Sequence, residues 1–159
     1  MGYEMTLNMR DVLVRKMQKS DLTRILQLLS DDELGQSRET MQKTPHDDYV
    51  RAFTAINADL NQYLAVFEKN DSIIGCLQIS FIPGLSRRGA LRGQIESVRV
   101  AANFRGDGYG TLMMAWAIEK CREQGCSLVQ LTSDKTRNCL LYTSPSPRDL
   151  STSRMPSSA

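Results

Sequence analysis

Apolar positions recur along residues 11–132 with two periods, and the switches between them divide the chain. Asp11 to Met17, DVLVRKM, alternates apolar and polar residues and predicts a strand. Ser20 then offers a helix cap with Asp21 in the first turn, and Leu22, Ile25, Leu26 and Leu29 follow at helical spacing. Asp31 to Lys43 is polar and reads as a loop or a mobile helical segment. Thr44-Pro45 is a second start signal, a cap followed by proline at the first helical position. Tyr49, Phe53, Ile56 and Leu60 give that second helix an apolar stripe.

The period then shortens. Gln62 to Glu68 and Ser72 to Ile82 are β-rich and flank Asn70-Asp71, a hairpin signal. Pro83 to Ala90 is a loop carrying Arg87 and Arg88. Gly93 to Ala101, GQIESVRVA, is another strand. Simple alternation places Ile95, Ser97 and Arg99 on one face and Glu96, Val98 and Val100 on the other. Gly108 to Gln124 is a helix packed through Leu112, Trp116 and Ile118 and closed by Gly125. Ser127 to Thr132 is one more strand. The order β-α-α-β-β-β-α-β, with no internal repeat, predicts a mixed α/β sheet whose last two strands are parallel across the helix.

Beyond Asn138 the pattern stops. Cys139 to Ala159, CLLYTSPSPRDLSTSRMPSSA, is dominated by Ser and Pro and carries no sustained period. It can be read as a disordered tail. It also resembles translated sequencing-adapter DNA. Cys139 to Asp149 matches one frame of a transposon-library adapter, and Ser153 to Ala159 matches its flow-cell end, with an index-length gap between them. On this reading residues 1–138 are a truncated domain and residues 139–159 are non-native and disordered. Strand 127–132 would then be an unpaired edge, the chain would be poorly stable, and Tyr142 would have no catalytic part.

Composition changes the picture little. The chain has 159 residues, 41% of them hydrophobic, and a net charge of +2. That suits a single globular domain and gives no electrostatic footprint for nucleic acid. No apolar run is long enough to span a bilayer, so no membrane partner is expected. Met1 to Arg10 has no apolar signal-peptide core, and the four cysteines lack paired spacing, so a reducing cytoplasm is the expected compartment. A single histidine, His46, makes a histidine-based metal cage impossible, and no metal is expected.

The chemistry concentrates in Arg105-Gly106-Asp107-Gly108-Tyr109-Gly110, between a strand and a helix. Glycines let backbone approach a ligand without Cβ obstruction, and first-turn N–H groups lack intrahelical partners. With the helix dipole they suit a pyrophosphate. The P-loop tripeptide is absent, and G-x-G-x-x-G fails because its last position falls on Thr111 or Met113.

Arg-x-x-Gly-x-Gly after a β-strand does fit. With Ile95 to Val100, Arg105, Gly108, Gly110, the following helix and the strand from Leu128 to Thr132, the chain resembles the GCN5-related N-acetyltransferase (GNAT) superfamily over residues 11–138. The resemblance implies a mixed, mostly antiparallel sheet flanked by helices, here lacking the family's last helix and final strands. It implies acetyl-CoA as acyl donor, its pyrophosphate on Arg105, Gly106, Asp107, Gly108, Tyr109, Gly110 and Thr111. The strand Val98, Arg99, Val100 would pair with the pantetheine arm, and a bulge would open a cleft beside the next strand. The reaction implied is transfer of acetyl to a primary amine of a small molecule or peptide. The Val98 N–H would polarise the thioester carbonyl.

Glu96, an ionisable group in an otherwise apolar strand, is either the base or water relay for that amine, or a salt-bridged or exposed residue beside Arg92 or Arg99. The family's usual acid for the leaving thiolate would lie on a helix starting near Asp134 to Asn138. His46 reads as a surface residue, and Arg87-Arg88 either greets an acidic substrate or is a solvated loop. Asp31-Asp32-Glu33 either walls the acceptor site or is solvated. Cys76, Cys121, Cys126, Trp116 and Met113-Met114 read as packing residues. A non-catalytic acyl-CoA-binding sensor or interaction module is the alternative function. Oligomeric state is open, a homodimer of the intact parent being one option.

Overall fold

The computed structural model describes residues 11–31 and 46–132, together with the backbone of 138–143. In chain order the elements are β1 (Leu13–Lys16), α1 (Leu22–Leu29), α2 (Asp47–Ala58), β2 (Gln62–Lys69), β3 (Ser72–Pro83), β4 (Leu91–Val100), α3 (Tyr109–Glu123), β5 (Cys126–Thr132) and β6 (Asn138–Thr143). The strands form one sheet in sequential order from β1 to β6. Every neighbouring pair is antiparallel except β4 and β5, which run parallel across α3. The expected order and mixed sheet are thus present, with one strand more than expected.

Local chemistry accounts for most of these boundaries. Asn70 and Asp71 both take left-handed φ, 51° and 63°, which closes the tight β2–β3 hairpin with the twist its strands require. Gly125, at φ 88°, ends α3. The first helical turn starts earlier than Ser20. The Gln18 N–H donates to Asp21 Oδ2 at 2.7 Å, while the Arg15 guanidinium grips the same carboxylate through two bonds of 2.7 and 2.8 Å. Arg15 also reaches Glu68 Oε1 at 2.6 Å, tying β1, β2 and the entry to α1 together. The second helix starts at Asp47 with His46 as its cap, because the ring Nδ1 accepts the Asp48 N–H at 3.1 Å. Thr44-Pro45 and residues 32–43 lie outside the described residues.

Two cores lie on opposite sheet faces. On one, α3 buries Met113, Trp116, Ala117 and Cys121 against Tyr63, Phe67, Leu77, Ile79, Ile95 and Val129. Trp116 stands edge-on to Phe67 at 5.5 Å and tilted to Tyr63 at 5.8 Å, contacts worth about 0.5–1.5 kcal/mol each beyond area burial. On the other face, Leu22, Ile25, Leu26 and Leu28 of α1 and Phe53 of α2 cover Val66 and Cys76. The cysteines Cys76, Cys121 and Cys126 are buried free thiols, as their packing role predicts. α3 sits so close to the sheet that a Cβ built on Gly75 would lie 2.6 Å from Met113 Sδ and 2.9 Å from the Arg99 carbonyl oxygen.

The far edge differs from expectation. Strand 127–132 is not an unpaired edge, because Asn138–Thr143 pairs with it antiparallel, Thr132 opposite Asn138 and Leu128 opposite Thr143. An open row of backbone donors and acceptors on β5 is a ready template, and CLLYT supplies a short β-prone run within reach. Asn138 therefore begins a strand. Residues 133–137, where the family's next helix would begin, and 144–159 lie outside the described residues.

Candidate active site

The site forms where β4 leaves its neighbours. Cys76 pairs with Arg99 and Gln78 with Glu96, so Ser97 and Val98 together oppose Leu77. Ser97 absorbs the extra residue with a left-handed φ of 55°. Such a bulge bends its strand and breaks the ladder. On the other side, β4 stays in register with β5 only from Leu91 to Ile95, which faces Leu131. Beyond Ile95 the two parallel strands part, and Glu96–Val100 have no strand partner on that side among the described residues. This is the expected cleft.

The bulge also overturns the expected alternation. Ile95 is fully buried under α3, and Val98 and Val100 pack against that same core rather than on the opposite face. The extra residue at Ser97 shifts the period by one, so side chains after it swap faces. Glu96 precedes the bulge and shares its face with its cross-strand partner Gln78. It is half-buried, and among the described residues its carboxylate makes no hydrogen bond or ion pair, so Arg92 and Arg99 do not neutralise it. Beside it a cavity of about 60 Å³ under α1 is lined by Met17, Ile25, Leu29, Cys76, Gln78 and Ser97 among others.

The glycine-rich turn sits at the mouth of the cleft. Gly106 and Gly108 take φ of 84° and 86°, a backbone that side chains resist. Gly108 caps α3 without any side-chain bond, which leaves the helix start open to an anion. A Cβ on Gly110 would point toward Val100, 3.9 Å from Cγ2, into the space between helix start and β4. These features fit a pyrophosphate held by backbone. The side chains divide differently. Tyr109 is buried edge-on to Phe104 at 5.6 Å, so only its backbone faces the turn. Asp107 and Thr111 are exposed. The Arg105 guanidinium bonds the Val100 carbonyl at 3.0 Å and Asp31 at 3.2 Å, fastening the turn to β4 and to the end of α1. The Arg99 guanidinium donates to the Val98 carbonyl at 2.9 Å. Pairing across strands brings one further set together that single-strand reading missed: Gln62, Ser80, Gln94 and Gln130 form a polar row on the Glu96 face. Its signal in sequence is a polar residue at the same alternate position of four strands.

A sheet opened between two parallel strands, with an anion-ready helix start at its mouth, defines an acyl-CoA-type transferase architecture. The family model described as the Acetyltransferase (GNAT) family matches residues 22–144, and the chain belongs to that family, whose members transfer acyl groups and use acetyl-CoA. Among solved structures, a transcriptional regulator from Bacillus halodurans C-125 is 42% identical, with a TM-score of 0.75 over 78% of this chain and 83% of that one. Glucosamine-6-phosphate N-acetyltransferase from Arabidopsis thaliana is 25% identical, with a TM-score of 0.62 over 77% and 82%. A predicted acetyltransferase from Clostridium acetobutylicum, solved with acetyl-CoA, is 20% identical with a TM-score of 0.61 over 78% and 82%, a likeness of fold. No match was found among curated proteins.

Proposed function

We propose that this chain moves an acetyl group from acetyl-CoA to a primary amine of a small molecule or peptide. The observation that carries the reading is the unpaired carboxylate of Glu96 at the point where β4 parts from β5. The backbone of Arg105 to Thr111 would hold the pyrophosphate, and the freed edge from Val98 to Val100 would pair with the pantetheine arm. Bound there, acetyl-CoA supplies an activated thioester carbonyl. An amine attacks only when neutral, and Glu96, directly or through water, accepts the proton the nitrogen sheds as the carbon–nitrogen bond forms and the carbon–sulfur bond breaks. The leaving thiolate takes its proton from water, and the Val98 N–H polarises the carbonyl. Residues 139–159 are proposed to be adapter-derived. Source reads continuing past Asn138 without adapter sequence would reverse that.

Two measurements test the reading. Acetyl-CoA binds only the folded chain and must raise its melting temperature. Free-thiol release with an amine panel should then fall roughly 10²- to 10⁴-fold in Glu96→Gln, with the acetyl-CoA melting shift retained. Equal turnover in Glu96→Gln removes Glu96 as base. A second reading, an acyl-CoA-responsive module without catalysis, draws support from the 42%-identical relative described as a transcriptional regulator. It predicts the melting shift with no turnover on any amine.

A further inference from the structure

The Glu96 face of the sheet carries a second feature that acetyl transfer alone does not require. A cavity of about 270 Å³ opens at the start of β4, lined by Ser86, Arg87, Arg92 and Gln130 with Ile82 and Leu128 among its apolar walls. Its charged lining is basic on both sides and includes no carboxylate among the described residues. The Arg92 Nε is buried without a hydrogen-bond partner. No ion pair involves Arg87 or Arg92 among the described residues. A buried guanidinium nitrogen left unmet is costly, and carboxylate or phosphate is the chemistry its planar fork matches.

Arg87 is held in place rather than left on a loose loop. It lies in the short helical turn Ser86–Gly89, where Arg87, Arg88 and Gly89 take consecutive left-handed φ of 54°, 62° and 74°. The turn is closed by Gly84 N–H to the Ala90 carbonyl at 3.0 Å and Gly89 N–H to the Leu85 carbonyl at 3.1 Å. Two successive non-glycine residues in that region store strain, and such strain persists where a side chain must be aimed.

The strand register connects this cavity to the cleft. Arg92 opposes Ile82, Gln94 opposes Ser80, and Glu96 opposes Gln78, so Arg92, Gln94 and Glu96 lie on one face ahead of the bulge. Alternate residues of a strand are roughly 6.6 Å apart, which puts the Arg92 and Glu96 backbones about 13 Å apart. Between them Gln94 sits beside Gln130, and neither amide makes a hydrogen bond among the described residues. The result is a track with a cationic end, an uncharged polar middle and an anionic end at the acyl-transfer point.

We infer that Arg92 and Arg87 form an oxyanion subsite for the acceptor, so that the substrate class is a primary amine bearing a carboxylate or phosphate at the far end of an extended molecule. This deepens the acetyltransferase reading and rests on it. Glu96 meets the amine, Gln94 and Gln130 border the connecting chain, and Arg92 with Arg87 meets the anion.

The test uses the full chain and three readouts. With acetyl-CoA saturating its own site, inorganic phosphate, added at constant ionic strength against chloride, should further raise the melting temperature of the wild type and not of Arg92→Gln or Arg87→Gln, while acetyl-CoA itself shifts all three equally. Arg87 is exposed, so its variant keeps the test valid if Arg92→Gln fails to fold. With acetyl-CoA, ω-amino carboxylates and amino-alkyl phosphates of graded length should show KM values roughly tenfold to a hundredfold below those of uncharged amines of equal length, a preference lost in both variants with kcat kept. Comparing the two ligand series separates phosphate from carboxylate as the preferred group. Phosphate stabilisation that needs both arginines but comes without turnover on any amine would keep the subsite and overturn the transferase reading. Turnover without preference for anionic amines, or equal phosphate response in wild type and both variants, would overturn the subsite.

Discussion

Replacing Gly75 by alanine probes the contact on which the cleft depends. The added Cβ would meet Met113 Sδ at 2.6 Å, Met113 Cε at 3.0 Å and the Arg99 carbonyl oxygen at 2.9 Å. Methionine can swing away, whereas the Arg99 carbonyl belongs to β4 itself and moves only if the strand moves. Overpacking of this kind costs about 1–3 kcal/mol, and the stiffer unfolded chain returns about 0.4–1 kcal/mol. The net spans about 0–2.6 kcal/mol, and its centre of about 1.3 kcal/mol corresponds to a fall of roughly 3–5 °C in melting temperature for a chain of this size. Arg99 lies on the edge proposed to pair with pantetheine, so the acetyl-CoA-induced shift should shrink as well. Differential scanning fluorimetry of Gly75→Ala and Gly84→Ala, with and without acetyl-CoA, reads both quantities. Gly84 is the comparison, since its Cβ would come no closer than 3.7 Å to the Ala90 carbonyl. A Gly75→Ala chain that melts at or above the wild-type temperature would refute the claim that α3 and β4 are pressed together at this residue.

Gly110→Ala separates fold from function in the opposite sense: its Cβ meets only ordinary contact with Val100, so the unliganded melt should hold or rise, while the acetyl-CoA shift falls if backbone must approach the pyrophosphate. Asp21→Asn should cost about 1–3 kcal/mol in denaturant unfolding, because it removes the charge that Arg15 and the Gln18 N–H are arranged around. The Arg15 bonds hold the Asp21 carboxyl below the ordinary carboxylate range, so its stabilising contribution is complete at neutral pH. It is lost as pH falls from the ordinary carboxylate value through the depressed folded one, and a wild-type acid titration should show a stability loss there that Asp21→Asn lacks. Burial pushes the Cys76 thiol up to about 12, so iodoacetamide at pH 8 should leave it unmodified in the native chain and label it on unfolding, by peptide mass mapping.

Much of this molecule was legible in sequence because much of it is local. The Asn70-Asp71 hairpin, the β-rich runs of β2 and β3, the helix entered through Gly106 to Gly110 and ended by Gly125, and the parallel return to β5 each depend on a few neighbouring residues. Other features depend on which side chains and strand edges the folded backbone brings together. His46 caps α2 because its ring nitrogen accepts the Asp48 N–H. Asp21 is claimed by Arg15, so the turn before α1 begins at Gln18. An unpaired β5 edge captures Asn138–Thr143, where composition alone suggested no structure.

The site shows the division most clearly. The sequence alone determined that Glu96 is the one acid of its strand and that Arg105 to Gly110 opens a helix with glycines. Only the tertiary structure decided that Ser97 carries the bulge, because a bulge is a mismatch between two strands and neither encodes it alone. That mismatch turns Val98 and Val100 to the α3 face, away from Arg92, Gln94 and Glu96, which precede it and stay in line on the other face, and it falls just where β4 and β5 part. Periodicity within one strand could not reveal this, since the register that breaks it is set by pairing across the sheet.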